Sequence, residues 1–191
     1  LPPNLNDVGI YDYTDIEVFF GTYVGNGEMR SVSSGWTDPG WNDNAMDHDI
    51  GLVRLTAAGP ATPLPPATSA PYNNQSVRVA GFGVTSENGT DSDRKRQGSA
   101  TVDQLYLTSM DLAGSPSSTC FGDSGGATIA NVGGQEVLAG VHSRSDCYGL
   151  SYEMRVDAYL GAINNFIGAA PSCAADGQCA SGCAEPDPEC P

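Results

Sequence analysis

The chain has 191 residues, including 24 glycines and 13 prolines, and its 23 Asp+Glu against 8 Lys+Arg give a formal net charge of −15. This length is enough for one principal domain with a substantial core, while the negative charge argues against electrostatic binding to nucleic acid or anionic lipid. No apolar run approaches the roughly 20 residues of a membrane span, and a hydrophobic content of 39% argues against disorder.

Six short runs of β-branched and aromatic residues predict strands, because each run is bounded by Gly, Pro, Asn or Ser. Apolar and polar residues alternate most clearly between residues 101 and 107. Many short strands separated by such turn residues indicate a β-sandwich or a β-barrel. The predicted strands cover residues 16–24, 49–55, 76–84, 99–107, 126–132 and 136–143.

Between the strands, the proline-rich residues 59–71 predict an extended connector, and the acidic residues 86–93 predict a surface loop. The basic residues 94–96 are interpreted as a solvated strand edge rather than a nuclear localisation sequence. Near the end, five apolar residues fall on one face of a predicted helix that Gly168 can terminate. They are Val156, Tyr159, Leu160, Ile163 and Ile167.

The six cysteines fall into two groups: Cys120 and Cys147 in the body, and Cys173, Cys179, Cys183 and Cys190 in the last twenty residues. An even count with a dense terminal cluster favours disulfides and an oxidising, extracellular compartment. A zinc knuckle is the alternative for the tail, but the cluster has no histidine and no paired Cys-x-x-Cys spacing. Tail carboxylates could bind calcium, although a solvated acidic spacer is the simpler interpretation.

A serine lies between glycines in the segment that joins two predicted strands. Glycines on a tight turn let backbone amides approach whatever the hydroxyl attacks, although such a turn alone indicates only a loop. The segment is Cys120-Phe121-Gly122-Asp123-Ser124-Gly125-Gly126. It resembles the nucleophile loop of the chymotrypsin-like (trypsin-family) serine proteases.

Other segments resemble the same family in the same order along the chain. Residues 48–55, 79–83 and 140–143 match segments that flank the site, and residues 152–156 resemble the family's closing strand before its C-terminal helix. The resemblance covers roughly residues 14–168. It implies an all-β fold of two six-stranded barrels, the first incomplete here, with a C-terminal helix. We expect a partial peptidase domain at residues 1–168 and a disulfide-rich acidic tail at 169–191.

Matched position by position, the resemblance implies the catalytic groups. Ser124 matches the nucleophile, and Asp49 matches the buried carboxylate that orients the catalytic histidine. The amides of Gly122 and Ser124 match the oxyanion hole. Asp123 matches the carboxylate that pairs with the α-amino group released by zymogen cleavage, so an activating protease is implied. Cys120 and Cys147 match a disulfide beside the specificity pocket.

One part of the family's pattern is missing. The family places its catalytic histidine in an early Thr-Ala-Ala-His-Cys segment, and this sequence contains two histidines, neither in such a segment. We expect His48, next to Asp49 on an extended stretch, to point the opposite way, and His142 to lie behind the pocket. Without a base the serine is not activated.

Two explanations account for the missing histidine. In the first, the chain is an N-terminally truncated protease that begins after the histidine segment and is inactive by itself. In the second, it is a catalytically dead, protease-like binding module. Retention of Asp49, Asp123 and Ser124 favours the first explanation. We therefore expect the full-length protein to be a secreted serine endopeptidase with polypeptide substrates, no cofactor and no metal.

The resemblance also implies which residues bind the substrate side chain before the scissile bond. Ser118 stands where trypsin-like enzymes have an aspartate, so we do not expect a preference for Lys or Arg unless Asp146 or Glu153 reaches the pocket. Thr119, His142 and Ser145, beside Ser143, are similar to the pocket of the bacterial glutamyl endopeptidases. Two hydroxyls and an imidazole N–H can bind one carboxylate, which favours Glu. The alternative is an apolar pocket in which His142 is a core residue.

Overall fold

The computed structural model describes residues 15–42, 47–114 and 117–168. Across these residues the chain is mostly β-structure, with one short helical segment at the end of the described part. The strands are β1 (Glu17–Tyr23), β2 (Asn26–Thr37), β3 (Gly51–Leu55), β4 (Ser76–Gly81), β5 (Arg96–Leu105), β6 (Ser109–Ala113), β7 (Ala127–Val132), β8 (Gln135–Ser145) and β9 (Leu150–Arg155).

Strands β4 to β9 form a closed antiparallel barrel in the order β4-β5-β6-β9-β8-β7. Inward-facing side chains fill it, among them Val102, Met110 and Leu112, none of which exposes measurable surface. Each such side chain contributes about 1.5–3 kcal/mol through burial. Closure leaves no free edge in this unit, which gives a rigid base for the loops at its rim.

Strands β1, β2 and β3 form a separate three-stranded antiparallel sheet in that order. Tyr23 pairs with Asn26, so Val24 and Gly25 make a two-residue hairpin loop, and Gly25 has a φ of 90°. Glycine is favoured there because this tight hairpin requires positive φ. The predicted all-β architecture with a closed six-stranded barrel is confirmed. A first barrel that includes this three-stranded sheet stays a prediction.

All six strands predicted from composition are present, with ends that differ by up to three residues. Composition did not predict β2 or β6. The 12 residues of β2 are rich in Asn, Gly and Ser and largely exposed, so they lack the expected alternation. The five residues of β6 are too few to show a period, and they include the buried Asp111. Strand β9 was expected only from the family resemblance.

The C-terminal helical segment begins with a 3₁₀ turn at Val156–Tyr159 and continues as α1, Leu160–Gly168. Ile163 packs against Ile50, Met154 and Tyr159, so the helix covers the junction between the two sheets. The predicted apolar face is too long, because Ile167 is 65% exposed. The predicted disulfide-rich tail, with its boundary at residue 169, lies outside the described residues.

Candidate active site

The loop between β6 and β7 presents Ser124 at the rim of the closed barrel. The amide of Asp123 donates to the Cys120 carbonyl at 3.1 Å, and the amide of Gly126 donates to the Asp123 carbonyl at 2.8 Å. Gly122 and Gly125 have φ values of 92° and 80°, in the left-handed region that side chains disfavour. These tight turns fold the backbone back on itself and leave Ser124 exposed.

Ser143, on β8, connects Ser124 to Asp49. The Ser124 hydroxyl donates to the Ser143 carbonyl at 3.2 Å, and the Ser143 hydroxyl donates to Asp49 Oδ2 at 2.7 Å. Asp49 lies just before β3, which is the last strand of the three-stranded sheet. The predicted nucleophile and the predicted orienting carboxylate therefore meet where the two β units adjoin. The family resemblance implies that Ser143 lies beside the substrate, and the structure adds its contact with Asp49.

The backbone of the loop offers two unused donors. The amides of Asp123, Gly125 and Gly126 donate to backbone carbonyls, whereas those of Gly122 and Ser124 have no backbone acceptor among the described residues. Two free amides flanking a nucleophile can stabilise a negatively charged oxygen that forms beside it.

Asp123 is held against a glycine-containing turn that follows β4. Its Oδ1 accepts from the Gly83 amide at 2.8 Å, and its Oδ2 accepts from the Cys120 amide at 2.9 Å. A cavity of about 310 Å³ adjoins the carboxylate and is lined in part by Arg96 and Thr119. Arg96 donates to Asp91 across the loop. Both carboxylate oxygens of Asp123 are hydrogen-bonded by neutral groups.

The residues predicted to bind the substrate side chain differ in whether their polar atoms already have hydrogen-bond partners. The Ser118 hydroxyl donates to the Thr119 carbonyl at 3.1 Å. Thr119 is 6% exposed, and its hydroxyl has no partner among the described residues. A buried hydroxyl without a partner costs stability unless a ligand supplies one. Ser145 ends β8, where it pairs with Ser151 across the strands.

His142 is buried and lies in a chain of polar side chains inside the barrel. Its Nδ1 is 2.8 Å from Glu153 Oε1, and Glu153 Oε2 accepts from the Thr128 hydroxyl at 2.7 Å. His142 is 4% exposed, and neither Glu153 nor Thr128 is exposed at all. Thr128 was not recognised from sequence, because only the registers of β7, β8 and β9 bring the three residues together.

The carboxylates considered for a basic specificity have other partners. Asp146 accepts hydrogen bonds from the amides of Leu150, Tyr148 and Gly149, and these bonds lower the pKa of its carboxyl. Glu153 is occupied by His142 and Thr128. All three amides reach the same oxygen of Asp146, Oδ1, and Glu153 is fully buried. The expectation that the pocket does not prefer Lys or Arg stays a prediction.

The described contacts of the His48 side chain are with Tyr159 and Asp38 and not with Ser124, but the predicted reason is wrong. The residue is not extended but has a φ of 60°, in the left-handed region. Its Nδ1 lies 3.1 Å from the Tyr159 hydroxyl and 3.4 Å from Asp38 Oδ2. Burial, together with Asp38 and other nearby carboxylates, raises the pKa of Tyr159 to about 12, so this phenol remains a hydrogen-bond donor.

Cys120 and Cys147 form a disulfide that joins the nucleophile loop to the β8–β9 connection. The described residues contain no group of three or more His, Cys, Asp and Glu side chains arranged to hold a metal ion. Within the same residues, no helix is long and apolar enough to cross a bilayer.

Comparison with known proteins agrees with this geometry. The family model described as Trypsin matches residues 10–167. The chain belongs to the trypsin family. Chymotrypsin-like elastase family member 1 from Bos taurus and from Felis catus are each 29% identical to it over 178 residues, covering 75% of this chain. The chain spans 64% of the length of these relatives.

A similar solved structure of this trypsin-family fold is a mutant of human heparin binding protein (CAP37). It superposes with a TM-score of 0.64 at 22% sequence identity, covering 74% of this chain and 69% of that chain. At this identity the similarity establishes the fold alone. The predicted chymotrypsin-like fold and the predicted family are both confirmed.

Proposed function

We propose that the full-length protein is a serine endopeptidase that hydrolyses polypeptides through an acyl-enzyme. The observation that supports this most directly is the hydrogen-bonded series from Ser124 through Ser143 to Asp49. Ser124 attacks the scissile carbonyl, and the amides of Gly122 and Ser124 stabilise the resulting oxyanion. Asp49 orients the histidine that transfers the proton.

That histidine is not supplied by these 191 residues. His142 is buried and hydrogen-bonded to Glu153, and His48 contacts Asp38 and Tyr159. A general base must lie within hydrogen-bond reach of the hydroxyl that it deprotonates. We propose that the base comes from a segment of the longer protein and docks against Asp49, so that the 191 residues alone have negligible turnover.

Asp123 is proposed to respond to proteolytic activation. Within the described part of the chain its carboxylate has two amide donors and no cationic partner, and the adjoining cavity of about 310 Å³ has room for an ammonium group. A partly buried carboxylate gains most from a charged partner. An α-amino group released by an activating protease would pair with Asp123 and hold the loop from Cys120 to Ser124 in place.

The proposed preference before the scissile bond is for Glu. The buried Thr119 hydroxyl has no hydrogen-bond partner among the residues that the structure describes. The His142 ring is hydrogen-bonded to Glu153, and its backbone pairs with Gly125 and Gly126 of the nucleophile loop. Ser118 and Ser145 contribute further hydroxyls. These are the donors that a carboxylate requires. Matched Glu, Phe and Lys peptides test the preference, and a higher kcat/KM for Phe would establish the apolar alternative.

A fluorophosphonate probe tests the proposed chemistry, because it labels only an activated serine. The 191-residue chain should label slowly. The chain extended by its upstream coding sequence and then cleaved should label rapidly at Ser124, and Ser124→Ala should abolish labelling. If the extended, cleaved protein does not label, the molecule is a protease-like binding module.

Secretion is proposed from the disulfide, which persists in oxidising compartments.

A further inference from the structure

Strand β8 has an open edge beside Ser124. Its pairing with β7 ends where Ala127 faces Val141, and backbone bonds from His142 to the nucleophile loop extend this pairing by one residue. Beyond His142, β8 still pairs with β9, but its other edge has no backbone partner among the residues that the structure describes. Open strand edges bind extended peptides through their unpaired amides and carbonyls. The open edge at residues 143–145 can therefore receive a polypeptide substrate as an additional strand.

The contact between Ser124 and Ser143 sets the register of such a strand. The Ser143 carbonyl is 3.2 Å from the Ser124 hydroxyl, so the substrate residue with the scissile carbonyl would lie opposite Ser143. Strand β7 occupies the same edge in the antiparallel direction. In that direction, the preceding substrate residue would lie opposite Arg144. Directly opposite residues of antiparallel strands place their side chains on one face, with Cβ atoms about 4.5–5.5 Å apart.

Arg144 lies on the outer face of the barrel at this position. It pairs across the strands with Tyr152 on β9, its side chain is exposed, and its Cζ lies 4.3 Å from the centre of the Tyr152 ring. Stacking on a ring uses one face of the planar guanidinium and leaves the N–H groups at its edge free to donate. Arg144 can therefore bind a carboxylate that lies along the outer face.

Arg144 has no carboxylate partner in the described part of the chain, where the other ion pairs involve different arginines or histidines. The nearby carboxylates accept hydrogen bonds from other groups. They are Asp49 with the Ser143 hydroxyl, Asp111 with the Tyr106 hydroxyl, and Asp146 with the amides of its own loop. The open edge beside Ser124 thus carries a cation without an ion-pair partner, in a chain whose net charge is −15.

We propose that Arg144 is a specificity-determining residue that favours Glu as the second substrate residue before the scissile bond. The inference rests on the proposed function of the Ser124 site, and it concerns a different substrate residue from the one that the pocket binds. A Glu side chain opposite Arg144 can reach the guanidinium and accept from it, whereas Gln has the same length without the charge. Because the pair is exposed to solvent, the expected effect on kcat/KM is about two- to fivefold.

Peptides that differ only in Glu or Gln at this second residue test the proposal on the extended, cleaved protein at one fixed salt concentration. Arg144→Gln should lower the Glu/Gln ratio of kcat/KM by about two- to fivefold. Arg144→Glu should lower the ratio further, because repulsion then replaces attraction. If the wild type and both variants give the same ratio, the proposal is wrong.

Arg94→Gln and Arg94→Glu are the matched controls. Arg94 is also exposed and forms no ion pair among the described residues, but it lies before β5 and bridges to Tyr23 at the end of β1. Its replacements change the net charge by the same amounts as those of Arg144, and they should leave the Glu/Gln ratio at its wild-type value. Equal changes at both positions would show that long-range charge is responsible, and would overturn the proposal.

A second peptide pair tests the direction of the substrate strand. With Glu or Gln placed directly after the scissile bond, the ratio should not depend on Arg144. A dependence there, and not at the second residue before the bond, would mean that the antiparallel register and the proposal are wrong.

Probe labelling separates this proposal from the proposed function. If the extended, cleaved wild type fails to label at Ser124, the proposed function is wrong and the role of Arg144 falls with it. If the wild type labels and cleaves but the Glu/Gln ratio does not depend on Arg144, the proposed function stands and the role of Arg144 is wrong.

Discussion

Ser143 illustrates how much one residue can contribute to the proposed site. Its carbonyl accepts from Ser124 and its hydroxyl donates to Asp49. Ser143→Ala keeps the carbonyl but removes the donor, leaving one oxygen of Asp49 without this partner. A hydrogen bond to a charged group is worth about 1.5–3 kcal/mol, so Ser124 labelling of the extended, cleaved protein should slow by roughly ten- to a hundredfold.

Ser33→Ala is the control for Ser143→Ala. Ser33 is also a strand serine, but it is exposed and its hydroxyl donates to the backbone carbonyl of Arg54 instead of a carboxylate. Its replacement should leave the labelling rate unchanged. Equal rates for Ser143→Ala and wild type would show that Asp49 does not depend on Ser143.

Tyr159 gives the described part of the molecule a specific sensitivity to alkali. Its pKa is about 12 when folded, against 10.0 for an ordinary tyrosine. Above pH 10 the unfolded chain loses this proton first, so the free energy of unfolding falls as the pH rises from about 10 to 12. By about pH 11 the loss is about 1.4 kcal/mol.

Urea unfolding of wild type and Tyr159→Phe at pH 9 and 11 measures this effect. The variant loses the hydrogen bond to His48 at both pH values, but it should lose less stability between them. Tyr106 and Tyr148, whose pKa values are raised by Asp111 and Glu87, are common to both proteins and cancel. Identical pH dependence would contradict the burial assigned to Tyr159.

At the scale of elements, the turn after β4 and the nucleophile loop leave no space between them. A Cβ at Gly83 would lie 2.5 Å from Asp123 Cγ and 2.8 Å from the Asp123 amide nitrogen. Gly83→Ala should therefore displace Asp123 and the loop that contains Ser124. We expect a loss of about 1–3 kcal/mol in the free energy of unfolding, and at least a tenfold slower labelling of Ser124.

Gly161→Ala separates this packing effect from the general effect of replacing glycine. Gly161 lies in α1, and a Cβ there would meet nothing within 4 Å. Alanine should stabilise the helix by about 0.5–1 kcal/mol and leave labelling unchanged. If Gly83→Ala behaves like Gly161→Ala, the contact between the turn after β4 and the nucleophile loop is not required for the labelling of Ser124.

At the scale of the whole molecule, a net charge of −15 opposes the approach of an acidic substrate. Salt screens this repulsion, with a Debye length near 8 Å at physiological ionic strength. For the extended, cleaved protein, kcat/KM of a Glu peptide should therefore rise with added salt up to about 0.15 M, while that of a neutral peptide should not. A fall for the Glu peptide would show that local positive charge controls its association.

Features formed by residues close together in the sequence are predicted well from it, whereas features that bring distant segments together are not. The seven consecutive residues from Cys120 to Gly126 are enough to predict a tight turn, a candidate nucleophilic serine and the family. Strand β2 was missed, because its exposed Asn, Gly and Ser residues form a strand only by pairing with β1 and β3. The contact of His142 with Glu153 and Thr128 depends on registers between three strands, which no local pattern contains.

The division into two β units has a consequence for how the site opens. The closed barrel comes from one continuous stretch, residues 76–155, whereas Asp49 precedes the last strand of a three-stranded sheet. Strands without free edges exchange their amide hydrogens mainly by global unfolding, while edge strands exchange by smaller openings. In the described part of the chain, β3 amides should therefore exchange before those of β5 and β8. Such an opening should separate Asp49 from Ser143 while the loop around Ser124 stays folded.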